Sequence, residues 1–173
     1  HFAANDQETY RHVVDSVVSE RALREIYLRG FERTVRGDSS RLGKQGRAVS
    51  LMTTYAPVNG HWTGSNYDLV NTILHKEWKY TGLVMTDWWA ELNDCVAGGE
   101  HSIKHTASMV RARNDVYMVV DNNGAESNVY DDDIPSSLKE GKLTVAELQV
   151  CAKDILRFLL QAPVAKRSLR PLV

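Results

Sequence analysis

The chain has 173 residues, 43% of them hydrophobic and 25% charged, with a formal net charge of −1. That suits one soluble globular domain or part of a larger one, and it excludes the basic footprint of a nucleic-acid or anionic-membrane binder. No apolar run approaches the ~18 residues of a membrane span, so neither a membrane span nor a signal peptide is expected in this chain, and the expectation is a soluble protein whose compartment stays open. Cys95 and Cys151 form no CxxC pattern and argue for no disulfide framework, and Cys151, among apolar residues at helical spacing, reads as a small core residue.

The chain opens on His1 rather than Met, inside what reads as a motif, a start expected of a trimmed or partial chain. Ser19 is an N-cap candidate with Glu20 in the first turn, and Leu23, Ile26, Tyr27 and Phe31 then mark one helical face as far as about Phe31. A polar stretch over 37–47 with Gly37, Gly43 and Gly46 breaks it. The basic cluster Arg33, Arg36, Arg41, Lys44 and Arg47 spans this stretch and reads as a solvated loop rather than a phosphate site. Ala48 to Tyr55 reads as a strand, stopped by Pro57 and the Asn59-Gly60 turn signal. Ser65-x-x-Asp68 predicts a capping box for a second helix running to Trp78.

Gly82 to Asp87 predicts a strand buried on both faces: a short apolar run after a breaker, ending in a carboxylate and then Trp88-Trp89. Residues 90–100 read as a loop and 102–113 as a helix with Ile103, Ala107 and Val110 on one side. Asp115 to Asp121 predicts a third strand, ended by Asn122-Asn123-Gly124, and Ile134 to Glu140 a short helix stopped by Gly141. Thr144-x-x-Glu147 is a capping box for a last long helix carrying Leu148, Cys151, Ala152, Ile155, Phe158 and Leu159. Strands alternating with helices imply an α/β fold of parallel βα units: a small open sheet, or part of a TIM-type (β/α)8 barrel, which needs about 250 residues when complete.

The chemistry concentrates at Asp87. An acid at the carboxyl end of a buried parallel strand stands where α/β barrels place catalytic groups, and flat rings beside it suit a sugar; the plainer reading is an Asp capping the next turn. His101 and His105, four apart on the expected helix, lack a third ligand for a metal. Asp131-Asp132-Asp133 lacks the spaced ligands of an EF-hand loop and reads as a charge cluster at a helix N-terminus.

Taken in order, His1-Phe2-Ala3-Ala4-Asn5, Ser19 to Leu23, Met52-Thr53-Thr54-Tyr55 with Val58-Asn59-Gly60, Glu77-Trp78, Val84-Met85-Thr86-Asp87-Trp88 and Asn114 to Met118 resemble glycoside hydrolase family 3. The resemblance spans nearly the whole chain and implies that residues 1–173 are the second half of that family's (β/α)8 barrel domain, with earlier strands and accessory domains absent. It implies a retaining exo-acting β-glucosidase type of enzyme with Asp87 as catalytic nucleophile. His1 matches the His of a Lys-His pair that binds sugar hydroxyls, Met52 and Tyr55 match pocket positions, and Trp88 matches an aromatic wall. Read singly, His1 is a frayed terminal residue, Met52 core and Trp88 a packing aromatic.

Three departures stand out: Ala56 replaces the usual Asn and is expected to loosen the pocket, Lys79 replaces a common Gly, and the segment 36–47 reads as longer than the usual connection. No residue matches the family's acid/base. Two carboxylates suffice for the reaction, so no cofactor and no metal is expected. The partners expected are a β-linked oligosaccharide or glycoside, and the missing barrel half with an acid/base-bearing domain, or another copy of the chain. The rival reading is a catalytically incomplete carbohydrate-binding or structural fragment. A flavodoxin-like protein would need a phosphate-binding glycine loop, and none is present.

Overall fold

The computed structural model of the chain describes residues 1–37, 47–118, 128 and 130–168. The Ser19 hydroxyl accepts from the Ala22 N–H at 3.2 Å and opens helix α1 (Glu20–Ala22). A widened π turn, Leu23–Tyr27, passes the chain into α2 (Arg29–Arg36), so the helical run expected to about Phe31 continues to Arg36. It stops at Gly37, whose φ of 75° lies in the left-handed region. Residues 38–46, with Arg41 and Lys44 of the basic cluster, lie outside the described residues.

Strand β1 (Ser50–Met52) is shorter than the strand expected from Ala48 to Tyr55. Thr53 still pairs, through a parallel bridge to Phe2. Thr54 then leaves the ladder because its hydroxyl donates to Asn5 at 2.9 Å and its carbonyl accepts from the Thr63 hydroxyl at 2.5 Å. The Asn59-Gly60 signal becomes a tight hairpin, β2 (Pro57–Val58) against β3 (His61–Trp62), with both turn residues at positive φ, 51° and 82°.

A 3₁₀ turn (Thr63–Ser65) leads to a π-helical segment, Asp68–Glu77. The capping box expected at Ser65 does not form. Ser65 donates to the Trp62 carbonyl and accepts the Asn93 N–H at 3.1 Å, so Asn66 caps instead, accepting from the Leu69 N–H at 3.0 Å.

Strand β4 (Leu83–Trp88) lies one residue later than the strand read at 82–87. Gly82 does more than break the chain: a Cβ there would collide with the Val49 carbonyl and the Tyr80 ring. Residues 90–100, expected as loop, instead contain most of a second hairpin, β5 (Leu92–Asp94) and β6 (Gly98–Ser102). Asp94 builds its turn by accepting the Val96 and Ala97 N–H groups at 2.9 and 2.7 Å, while Gly98 and Gly99 take φ of 72° and 86°. Only Leu92 and Asn93 are buried in its first arm, so no alternating apolar pattern announces it.

Helix α3 (Thr106–Arg111) is shorter than the helix expected over 102–113, because Ser102 ends β6 and the Asp133 carboxylate takes the Ala107 N–H at 2.8 Å. His101 is therefore on a strand and His105 just before a helix, not four apart on one face. Strand β7 (Val116–Met118) is the described part of the third strand; residues 119–121 and the stop at 122–124 lie outside the described residues. Helix α4 (Ile134–Lys139) gives way to Gly141 at φ 73°. The predicted capping box opens α5 (Val145–Gln161): Glu147 N–H donates to the Thr144 hydroxyl, and Glu147 accepts the Thr144 N–H at 2.8 Å. A short α6 (Pro163–Ser168) follows.

Strands β1, β4 and β7 form one parallel sheet in that order, with Leu51 opposite Val84 and Met85 opposite Val116. Along the other margin of β1 the Phe2 N–H donates to the Met52 carbonyl at 2.8 Å. The described residues thus make parallel βα units around an open arc, and no closed barrel is formed among them. One core cluster gathers Phe2, Leu28, Val70, Leu74 and Val84; a second gathers Leu92, Met109, Val110, Leu143 and Cys151. Each such side chain contributes roughly 1.5–3 kcal/mol by leaving water. Asp154, wholly buried on α5, is held by Arg113 and Arg157, each at 2.7 Å.

Candidate active site

Asp87 is the penultimate residue of β4, and the backbone around it is firmly held. The Thr86 hydroxyl accepts the Met118 N–H at 2.8 Å, and the β4–β7 register shifts between Met85 and Trp88. Beyond the strand, Trp89 turns at φ 52° with its N–H on the Met118 carbonyl, and Tyr117 donates to the Ala90 carbonyl at 3.2 Å. A register shift at a strand end re-aims side chains, and here the side chain concerned is a carboxylate.

That carboxylate is 6% exposed and well supplied with donors. Its Oδ1 accepts the Trp88 N–H at 2.7 Å, and its Oδ2 lies 2.6 Å from His1 Nε2. An ionised carboxylate only accepts, so Nε2 carries the proton. The Tyr55 hydroxyl donates to the same carboxylate. Burial first, and then this bond, push the Tyr55 phenol above its ordinary value, while the Arg11 charge opposes them. His1 also meets the edge of Tyr55, ring centroids 6.1 Å apart.

His1, Tyr55 and Asp87 are therefore in mutual contact, although 86 positions separate the first from the last. Met52 ends β1, half-buried and level with Met85, and Trp88 ends β4 with 42% of its surface exposed. These two join the group by their places at the carboxyl ends of adjacent strands rather than by a described side-chain contact. Ala56 is buried beside Tyr55 and brings no polar group. Lys79 sits at φ 58°, which explains why glycine suits that position.

Sequence reasoning missed the residues that lie on Tyr55. The His12 ring stacks on it at 4.1 Å, and the Arg11 guanidinium lies 5.0 Å above it. They belong to an irregular stretch with no periodicity to single them out. Asn93 was missed as well: its side chain accepts the Trp62 N–H at 3.0 Å and donates to the Gly60 carbonyl at 2.9 Å, tying the second hairpin to the first. Asn114 donates to Thr53 and to the Gly64 carbonyl.

His101 and His105 are each taken by a carboxylate, Glu91 at 2.6 Å and Asp133 at 3.5 Å. A recess of about 620 Å³ lies between the second hairpin and helices α3 and α4, away from Asp87. Its lining includes the His105–Asp133 and Lys142–Glu140 pairs, at 3.5 and 2.7 Å. Among the described residues no helix is long and apolar enough to cross a membrane.

No protein-family model matches the chain. It is 48% identical over 169 residues to a β-glucosidase of Ruminococcus albus, covering 98% of this chain and 16% of that protein. The crystal structure of a β-glucosidase from Paenibacillus barengoltzii superposes with a TM-score of 0.89 at 59% identity, over 96% of this chain and 17% of that one. A GH3 β-glucosidase from Bifidobacterium adolescentis gives a TM-score of 0.73 at 27% identity, over 100% of this chain and 22% of that one. The chain thus spans about a sixth to a fifth of the relatives it matches. In sequence and in fold alike, it belongs to glycoside hydrolase family 3, of whose members it matches a part.

Proposed function

We propose that this chain is the nucleophile-bearing part of a retaining exo-glycosidase that releases terminal β-D-glucosyl residues, working within a (β/α)8 barrel domain of which it forms the C-terminal part. The observation that carries the reading is the Asp87 carboxylate, presented at the end of β4 and bound by His1, Tyr55 and the Trp88 N–H. A carboxylate held in one orientation by its neighbours is placed for attack, as a nucleophile needs. An Asp87 oxygen attacks the anomeric carbon as the aglycone departs, and the oxocarbenium-like transition state collapses to a glycosyl ester. Water then attacks that carbon from the opposite face, frees the carboxylate and retains the anomeric configuration.

His1 and Tyr55 hold the carboxylate, and by the family pattern His1 and Met52 line the glycone pocket with Trp88 as its wall. The leaving-group proton comes from an acid outside this chain, supplied by the remaining barrel and accessory domains. The substrate class is a β-linked glucoside or short oligosaccharide, and the scheme runs on two carboxylates without a cofactor. The chain's small share of its relatives also supports the reading that it binds sugar without turnover when alone.

Substitution separates these readings. In the enzyme containing this segment, Asp87→Gly lowers hydrolysis of 4-nitrophenyl β-D-glucoside by about three orders of magnitude or more. Azide then restores turnover and yields the α-glucosyl azide, because the small anion takes the vacated carboxylate's place. Activity within tenfold of the parent, or azide rescue giving only the β product, contradicts the proposal.

A further inference from the structure

Residues 6–18 form a strap that runs from Ala4 past Tyr55 to the first hairpin. Both ends are anchored. Ser16 donates its hydroxyl to the Ala4 carbonyl at 3.0 Å and its N–H to the Pro57 carbonyl, and the Gly60 N–H donates to Asp15 at 3.1 Å. The tip is a tight turn at Tyr10, φ 56°, whose carbonyl accepts from both Val13 and Val14. Arg11 and His12 follow Tyr10, and Arg11 is steadied by Glu8 at 3.5 Å.

His12 is itself exposed, yet its ring lies nearly parallel to Tyr55, 27° between planes, while Tyr55 is only 8% exposed. An exposed ring that covers a buried one acts as a lid on that face. Tyr55 has a rotatable phenol, and its hydroxyl reaches Asp87 only while the ring stays in place. We propose that His12 is a positioning residue: its ring, laid on Tyr55, holds the Tyr55 hydroxyl against Asp87 and so sets the rate of attack by that carboxylate. This rests on the reading of Asp87 as nucleophile, but its first test does not.

The test begins with the phenol. Tyr55 is followed by the ¹³C shift of its ring carbon bearing oxygen, assigned through Tyr55→Phe, in the parent and in His12→Ala and His12→Phe. His12→Ala brings the Tyr55 titration back toward the ordinary tyrosine value, and His12→Phe leaves it raised, since a flat apolar ring covers the phenol equally well. The second measurement is the rate of covalent labelling by a 2-fluoro-glucoside. His12→Ala slows it about tenfold, the size set by losing one ring pair, and His12→Phe restores it within about twofold.

His12 sits on a surface turn, so the fold survives both changes, which unchanged thermal unfolding verifies. An unaltered Tyr55 titration in His12→Ala overturns the proposal, as does a His12→Phe variant as impaired as His12→Ala. If neither parent nor variants label while the titration shifts as stated, the nucleophile reading fails and the positioning of Tyr55 stands.

Discussion

At the residue scale, two carboxylates show how surroundings decide chemistry. Asp87 stands one residue before the end of its strand, among donors, whereas Asp115 precedes β7 in the interior, where one oxygen accepts the Val84 N–H at 2.9 Å and the other has no described partner. Burial pushes the Asp115 carboxyl up to about 7, helped by the Asp154 charge nearby, against the pull of the Val84 N–H and Arg113. The unfolded chain ionises near 3.8 and the folded chain only near 7, so the folded state holds the extra proton between them. Stability therefore falls as pH rises from about 4 to 7 and then levels, by roughly 4 kcal/mol for this group alone. Asp115→Asn removes that slope and stabilises the protein at pH 8; urea unfolding across this range measures it, and an unchanged slope contradicts the assignment. Nothing in the sequence separates the two acids, since both border apolar strands. What was legible was Asp87 before two tryptophans; that His1 would reach it depends on a parallel bridge between Phe2 and Thr53.

At the element scale, local signals were legible where side chain and backbone settle the matter between themselves. Ser19, Gly141 and the Thr144–Glu147 box all act as their spacing predicts. The failures share one cause: a distant partner claims the local group. Ser65 cannot cap because Asn93 uses its hydroxyl, and α3 starts late because Asp133 supplies its cap from 26 positions away. Thr144→Ala is expected to lower stability by about 1 kcal/mol, the usual worth of an N-cap, and to fray α5 in hydrogen exchange. Asn93→Ala should cost more, about 2–3 kcal/mol, because it leaves the buried Trp62 N–H without its acceptor. Early exchange across 92–102 in Asn93→Ala would show the second hairpin detaching from the first, and full protection there would refute that dependence.

At the scale of the whole molecule, alternating strands and helices made the parallel sheet legible, but not how far it extends. The described strands form an arc with Phe2 along one margin and β7 at the other. Leu156, Leu159 and Leu160 on α5 are more than half exposed. A parallel sheet is ordinarily covered and continuous, which accords with the proposal that further βα units flank this segment. Produced alone, the 173-residue chain should associate with rising concentration in sedimentation velocity. Joined to the further βα units proposed above it should sediment as one species, and a lone chain that stays monomeric and unfolds cooperatively would show that the arc is self-sufficient.

The central claim is that Asp87 forms a bond to the sugar. The full-length protein containing this segment is incubated with 2,4-dinitrophenyl 2-deoxy-2-fluoro-β-D-glucoside, digested and sequenced by mass spectrometry. The account predicts one adduct, on the Asp87 carboxyl, lost again when a glycosyl acceptor is added. An adduct on another residue, or inactivation with Asp87 unmodified, would contradict it.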